Sequence, residues 1–187
     1  MDLQSKSLLI CITGGIAAYK VCDVVSKLVQ AQATVTVAMT KEAQYFVGPA
    51  TFQALSGRAV ATDLWAPRPA EAPPHIDLAQ TSDLILVAPC TANIMAKMAR
   101  GIADDLVSTL LLAADPHKVV IAPAMNHAMW AHPATRRNAQ QLQQDGIQFI
   151  GPATGWQACR TIGEGRMSES IEILAWIEKQ LSPPADR

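Results

Sequence analysis

The sequence predicts an α/β fold, a doubly wound and mostly parallel sheet in a single domain over residues 1–181, with 182–187 a frayed tail. Two observations carry this. Short, near-continuous apolar runs recur at residues 8–12, 83–89 and 119–123, as strands buried on both faces require. Stretches with helical spacing separate them, and regular alternation of strand and helix makes the sheet parallel.

Residues 8–12 form the first strand. Thr13-Gly14-Gly15 then turns the chain, and residues 16–30 read as a helix with apolar positions at Val21, Val24, Val25, Leu28 and Val29. Glycines here let backbone amides approach an anion with no Cβ in the way. The helix N-terminus adds unpaired N–H groups and partial positive charge, so Gly14 and Gly15 are where a phosphate would sit. On the turn alone, a plain structural turn is an equal reading. The second strand, residues 33–39, is rich in β-branched residues and ends in Thr40-Lys41. A dinucleotide site usually has a carboxylate about 20 residues on, gripping the ribose; Glu42 lies slightly beyond that point. A mononucleotide such as FMN therefore fits better than NAD.

Residues 41–46 read as a short helix broken by Gly48-Pro49, and 51–55 as a further turn of helix before Gly57. A proline-dense loop, 66–74, delivers the chain to His75-Ile76-Asp77-Leu78 at a helix start. The third strand, 83–89, is closed by Cys90-Thr91-Ala92-Asn93 and a helix over 94–100. After Gly101 a helix over 104–113 carries Asp104 and Asp105 in its first turn, where they complement the helix dipole. Residues 119–123 form the fourth strand. His132-Pro133 opens a polar helix to Asp145, stopped by Gly146, and 148–150 is a short fifth strand. Residues 152–167 read as a glycine-containing loop with little periodicity, and 168–181 as an amphipathic helix.

Half of the residues are hydrophobic and 17% are charged, the balance of a folded globular protein. A net charge of −1 without a basic stretch argues against nucleic acid or an anionic membrane as partner. No apolar run approaches the roughly 20 residues of a membrane span, and the N-terminus lacks a signal-peptide pattern. Cys11, Cys22, Cys90 and Cys159 have no C-x-x-C spacing, so neither a metal site nor a disulfide framework is expected. A cytoplasmic setting follows.

Ligands of open α/β sheets bind beyond the carboxyl ends of the strands. Four polar segments fall there: 13–15, Thr40, 90–93 and 124–130. From the residues alone, Asn126 caps the turn after its strand, and His75 is a surface or capping residue. Met95, Met98, Met125 and Met129 pack, and His127 and His132 are structural. Cys159 is a buried small hydrophobe by residue type, although its position in an irregular loop favours function.

Pro123, Met125, Asn126, Met129 and Trp130 resemble the P-x-M-N-x-x-M-W motif of the flavin-dependent cysteine decarboxylases. Residues 155–167 resemble their substrate-clamping flap, and 75–78 their active-site histidine segment. The glycine turn, 83–93 and 101–108 also match in order, so the resemblance spans about residues 8–167. It implies a Rossmann-like, flavodoxin-like flavoprotein with FMN held by Gly14, Gly15, Thr40, Thr91 and Asn93. The branch it most resembles converts 4′-phosphopantothenoylcysteine to 4′-phosphopantetheine in coenzyme A biosynthesis. In that chemistry the thiol-bearing carbon is oxidised to a thioaldehyde, CO₂ leaves to give an enethiolate, and the hydride then returns.

By the same resemblance His75 is the base for the oxidation, Asn126 orients the substrate carboxylate, and Cys159 is the final proton donor. Met129, Ala158 and Arg166 join Asn126 around the substrate. A homo-oligomer is implied, a trimer or a dodecamer of trimers with flavin at a subunit boundary. The alternatives are a peptidyl-cysteine decarboxylase of peptide-antibiotic maturation and a non-catalytic FMN-binding regulatory subunit; the presence of His75, Asn126 and Cys159 together favours an enzyme. Flavin prenyltransferases share the fold without the motif or the flap cysteine. Two departures stand out: Arg160, where relatives often carry glycine, and Thr13, where many have serine.

Overall fold

The computed structural model describes residues 2–65 and 75–181. Its first strand, β1 (Ser7–Ile12), is buried from Leu8 onward and leads through the glycine turn into α1 (Ala18–Gln30). β2 (Thr34–Met39) follows, then a 3₁₀ turn (Glu42–Tyr45) and α2 (Pro49–Ser56). Beyond the loop come α3 (His75–Thr81), β3 (Leu84–Cys90), α4 (Ala92–Arg100), α5 (Leu106–Ala113) and β4 (Val119–Pro123). The rest of the chain forms α6 (His127–Ala131), α7 (Pro133–Gln144), β5 (Gln148–Phe149), β6 (Ala153–Trp156), β7 (Ile162–Arg166) and α8 (Ser170–Leu181).

β1 to β5 make one sheet in the order β2-β1-β3-β4-β5, parallel at every pairing. That is the flavodoxin-type order of a doubly wound fold. Alternate side chains of each strand leave opposite faces. Leu8, Ile10 and Ile12 enter a core with Val21, Val24 and Val25 of α1 and Ile173 and Ile177 of α8. Leu9 and Cys11 enter a second core with Ile94 and Met95 of α4, Leu110 of α5 and Leu142 of α7. Fully burying each such aliphatic chain stabilises the fold by about 1.5–3 kcal/mol, so both faces of the sheet are fixed.

Helix ends follow local chemistry. Thr91 caps α4 by accepting from Ile94 N–H at 3.3 Å, and Gly101 ends it at φ +66°. Asp105 is the N-cap of α5 in a capping box with Ser108. Asp104 and Asp105 therefore precede that helix rather than occupying its first turn, and both pair with Lys97 at 2.6 Å.

Three expectations change. Residues 152–167 are not a loop: β6 and β7 form a two-stranded antiparallel ribbon. Pro49 opens α2 instead of breaking a helix, since a proline at the first helical position has no N–H to satisfy. The helix expected over 41–46 is only a 3₁₀ turn, because the chain meets Gly48-Pro49 within one turn. Residues 127–131, given no element by the sequence pattern, form α6. The proline-dense segment 66–74 and the tail 182–187 lie outside the described residues. Among those described, no helix is long and apolar enough to cross a membrane.

Candidate active site

A cavity of about 1040 Å³ opens over the carboxyl ends of β1 to β4. The turn after β1 supplies Gly14 and Gly15, the end of β2 Thr40, and the start of α4 Thr91 and Asn93. The segment after β4 supplies Asn126 and Met129, and the ribbon Ala158, Cys159 and Arg166. Thus every site residue expected from the sequence lines this one cavity, save one. His75 is the first residue of α3, and its side chain lies outside the described part of the structure.

Gly14 is required by packing as well as by any ligand: a Cβ there would stand 2.4 Å from Glu42 Cβ, pinning the turn against the 3₁₀ segment. Thr13 is buried and donates its hydroxyl proton to Pro89 O at 2.6 Å, tying the ends of β1 and β3 together. Thr40 Oγ1 accepts from Ala43 N–H at 3.2 Å, which leaves its own proton for an acceptor. α1 begins with no side-chain cap, while Ile16, Ala17 and Tyr19 line the cavity. A helix start without a side-chain cap that faces a cavity suits an anion.

At the other end, Asn126 Oδ1 accepts from Ala128 N–H at 2.8 Å and caps α6. This fixes the amide's orientation, so Nδ2 is the end that donates to Cys159 Sγ at 3.1 Å. Cys159 is exposed, not the buried hydrophobe its residue type suggests, because it sits in the turn joining β6 to β7. The Thr161 hydroxyl, 3.0 Å away, does most to hold its thiol below the usual range. Slight desolvation opposes this, and the Asn126 amide reinforces it. Burial instead pushes the thiol of Cys11 up to about 12 and that of Cys90 higher still. Cys159 is the acidic thiol of the cavity.

The ribbon is held to this site by a residue that no sequence motif singles out. Gln157 is buried; its Oε1 accepts from His127 N–H at 3.0 Å, and its Nε2 donates to Glu164 O at 3.3 Å and Met125 O at 3.4 Å. Met125 N–H in turn donates to Gly165 O at 2.8 Å. Nothing in local sequence marks Gln157, since its partners on the segment after β4, His127 and Met125, lie 30 and 32 positions away. Lys20 was also unmarked. It lines the cavity and bridges to Glu169 at 2.9 Å, and Glu169 also binds Arg166. Desolvation, and then the nearby Arg166 charge, lowers the Lys20 pKa. Of the methionines expected to pack, Met95 is buried, but Met129 is half exposed at the cavity rim.

A family profile described as Flavoprotein matches residues 1–182. The coenzyme A biosynthesis bifunctional protein CoaBC of Bacillus subtilis (strain 168) is 49% identical over 180 residues, 96% of this chain and 44% of that protein. The chain thus spans less than half the length of the curated relatives it matches first. Among solved structures, a cysteine-to-serine mutant of PPC decarboxylase complexed with pantothenoylaminoethenethiol superimposes with a TM-score of 0.82. It is 27% identical, with 95% of this chain and 98% of that one covered. The FMN-dependent cysteine decarboxylase SpaF gives 0.78 at 32% identity, covering 96% and 97%.

Proposed function

The chain belongs to the flavoprotein family, and from this we propose that it is an FMN-dependent decarboxylase converting 4′-phosphopantothenoylcysteine to 4′-phosphopantetheine. The observation that carries the reading is the 3.1 Å contact between Asn126 and Cys159, brought together across 33 residues at a cavity that also contains an uncapped helix start. The name of the B. subtilis relative and the substrate-like ligand of the PPC decarboxylase structure support this choice of substrate. The likeness to SpaF keeps a peptidyl-cysteine substrate as the second reading.

The residues present fit FMN. The Gly14-Gly15 turn, the start of α1 and the Thr40 hydroxyl suit a phosphate, and Ile16, Met125, Met129 and Trp156 offer apolar surface to a flat ring. The volume is at the upper end of the ~300–1,000 Å³ of small-molecule sites, room for cofactor and substrate together. Bound FMN would supply the two-electron oxidation and the later return of hydride.

The chain supplies position and protons. His75 would take the proton released on oxidation, a task suited to imidazole near neutral pH. Asn126 has one Nδ2 proton on Cys159 and a second free to orient the substrate carboxylate. Being neutral, it holds the anion without stabilising it so strongly that CO₂ loss is disfavoured. Cys159, already acidified, would protonate the enethiolate, and the ribbon would cover the reacting atoms.

Anaerobic mixing of the FMN-loaded protein with 4′-phosphopantothenoylcysteine, following CO₂ and products by mass spectrometry, tests this. Wild type should give 4′-phosphopantetheine, whereas a peptide ending in cysteine should be left unchanged. Cys159→Ser should slow the closing protonation by roughly 10²–10⁴-fold and accumulate a species two hydrogens lighter. Normal product from Cys159→Ser at the wild-type rate would return Cys159 to a structural role. Turnover of the peptide alone would favour the second reading. We further propose a cytoplasmic protein that assembles as a trimer or a dodecamer of trimers.

A further inference from the structure

His127, beside Asn126, is exposed and begins α6. Its Nδ1 lies 3.3 Å from Thr161 Oγ1, and that oxygen lies 3.0 Å from Cys159 Sγ. The chain of contacts is fixed from both ends. His127 N–H donates to the buried Gln157 at 3.0 Å, and a Cβ on Gly163 of β7 would stand 2.6 Å from His127 Cβ. The imidazole stem is thus pressed against the ribbon that carries the cysteine. Charged neighbours are Arg160 in the same turn, Glu164 and Arg166 on β7, and Arg136 of α7, which lies over Trp130 at 5.2 Å. None of these four side chains hydrogen-bonds to Cys159, Thr161 or His127 among the described residues.

We propose that Thr161 and His127 form a proton relay that returns to Cys159 the proton it gives up in each turnover. The proposal rests on Cys159 being the proton donor of the reading above. A hydroxyl both donates and accepts, so the two links can run in either direction. With Cys159 as thiol, S–H donates to Thr161 Oγ1, and the Thr161 hydroxyl donates to His127 Nδ1. Once the thiol proton has gone to substrate carbon, the Thr161 hydroxyl turns to donate to the thiolate, and the freed Nδ1 of the exposed His127 takes a proton from solvent. The thiolate then takes the Thr161 proton, Thr161 Oγ1 takes the proton on His127 Nδ1, and the imidazole is left neutral with its original proton on Nε2. One proton enters at Nδ1, one reaches Sγ, and no redox partner is needed. His127 acts through Thr161 and does not touch the substrate.

Two readouts on the FMN-loaded protein test the relay. The first is the rate of iodoacetamide alkylation of Cys159 against pH, located by peptide mass spectrometry. Wild type is expected to give a profile set by both contacts. Thr161→Val should move it to higher pH, since the Thr161 hydroxyl holds the thiol below the usual range; His127→Gln should move it as well, and Thr161→Ser should restore it. The second compares the first turnover with later ones. His127→Gln should leave the first intact and slow later ones about tenfold, partly restored by added imidazole, since only regeneration of the donor is affected. Identical alkylation profiles for wild type and His127→Gln, or first and later turnovers slowing together, overturn the proposal. Should His127→Gln fail to retain flavin, the Thr161→Val and Thr161→Ser pair decides it. Failure of the parent reading looks different: Cys159→Ser then turns over normally, whatever His127 does to alkylation.

Discussion

Asn126 divides its amide between two neighbours, Oδ1 accepting from Ala128 N–H and Nδ2 donating to Cys159 Sγ. Asn126→Asp separates these roles. Aspartate is as good an N-cap as asparagine, so the melting temperature should hold while the donor to Sγ is lost. The added negative charge pushes the thiol pKa back up, and turnover should fall by roughly 10²-fold or more, the usual scale for losing one site donor. Thermal melting beside CO₂ release checks this; near-normal turnover would count against Asn126. Arg160, the residue after Cys159, has φ +63°. A left-handed conformation costs a non-glycine residue about 1–2 kcal/mol, and glycine's greater freedom when unfolded offsets about 0.5–1 of that. Arg160→Gly should therefore stabilise the fold by about 1.5 kcal/mol at most, read as a small rise in melting temperature. A fall would mean that the arginine side chain holds the turn. The sequence marks Asn126 as a cap and Cys159 as a loop residue. Their contact is not legible there, because it depends on how a ribbon 30 positions downstream folds back.

The ribbon shows why some elements can be read from sequence and others cannot. β1, β3 and β4 announce themselves as apolar runs because both of their faces are covered by helices. β6 and β7 give no such pattern, since glycines stand where they meet other groups. A Cβ on Gly155 would stand 2.8 Å from Arg166 Nη1, and one on Gly165 (φ +129°) would stand 2.5 Å from Met125 O. The ribbon is attached by backbone and by Gln157, not by an apolar face. Gln157→Met keeps the side chain's length but leaves His127 N–H and the carbonyls of Met125 and Glu164 without this partner. Unsatisfied buried groups cost about 1–3 kcal/mol, so the melting temperature should fall. Limited proteolysis should cut first within 153–166, and Cys159 alkylation should lose its dependence on Thr161. A ribbon as protease-resistant as wild type would show that the backbone bond from Met125 to Gly165 is sufficient.

At the scale of the molecule, the sheet order brings four strand ends to one rim, yet that rim exposes large apolar side chains. Ile16 is 56% exposed, Tyr19 59%, Met129 50% and Trp156 62%, and all four line the cavity. Scattered exposed apolar residues need no explanation, but a cluster around a cavity marks a surface that something covers. A cofactor ring and a neighbouring copy of the chain together would cover it, which accords with the proposed trimer. Light scattering should then give a mass of three chains or a multiple of three, and a monomer that turns over at full rate would remove the second copy from the argument. FMN itself is tested separately. A ligand that binds only the folded state at about 100 times its Kd stabilises by about 2.7 kcal/mol. For a chain of this length each kcal/mol shifts melting by about 2–4 °C, so FMN should raise the melting temperature by about 5–10 °C. The end of β2 carries Thr40 and Lys41 with no ribose-gripping carboxylate on the strand, so NAD at the same concentration should shift it far less. An equal shift with NAD, or none with FMN, would mean that the glycine turn and the bare start of α1 hold a different anion.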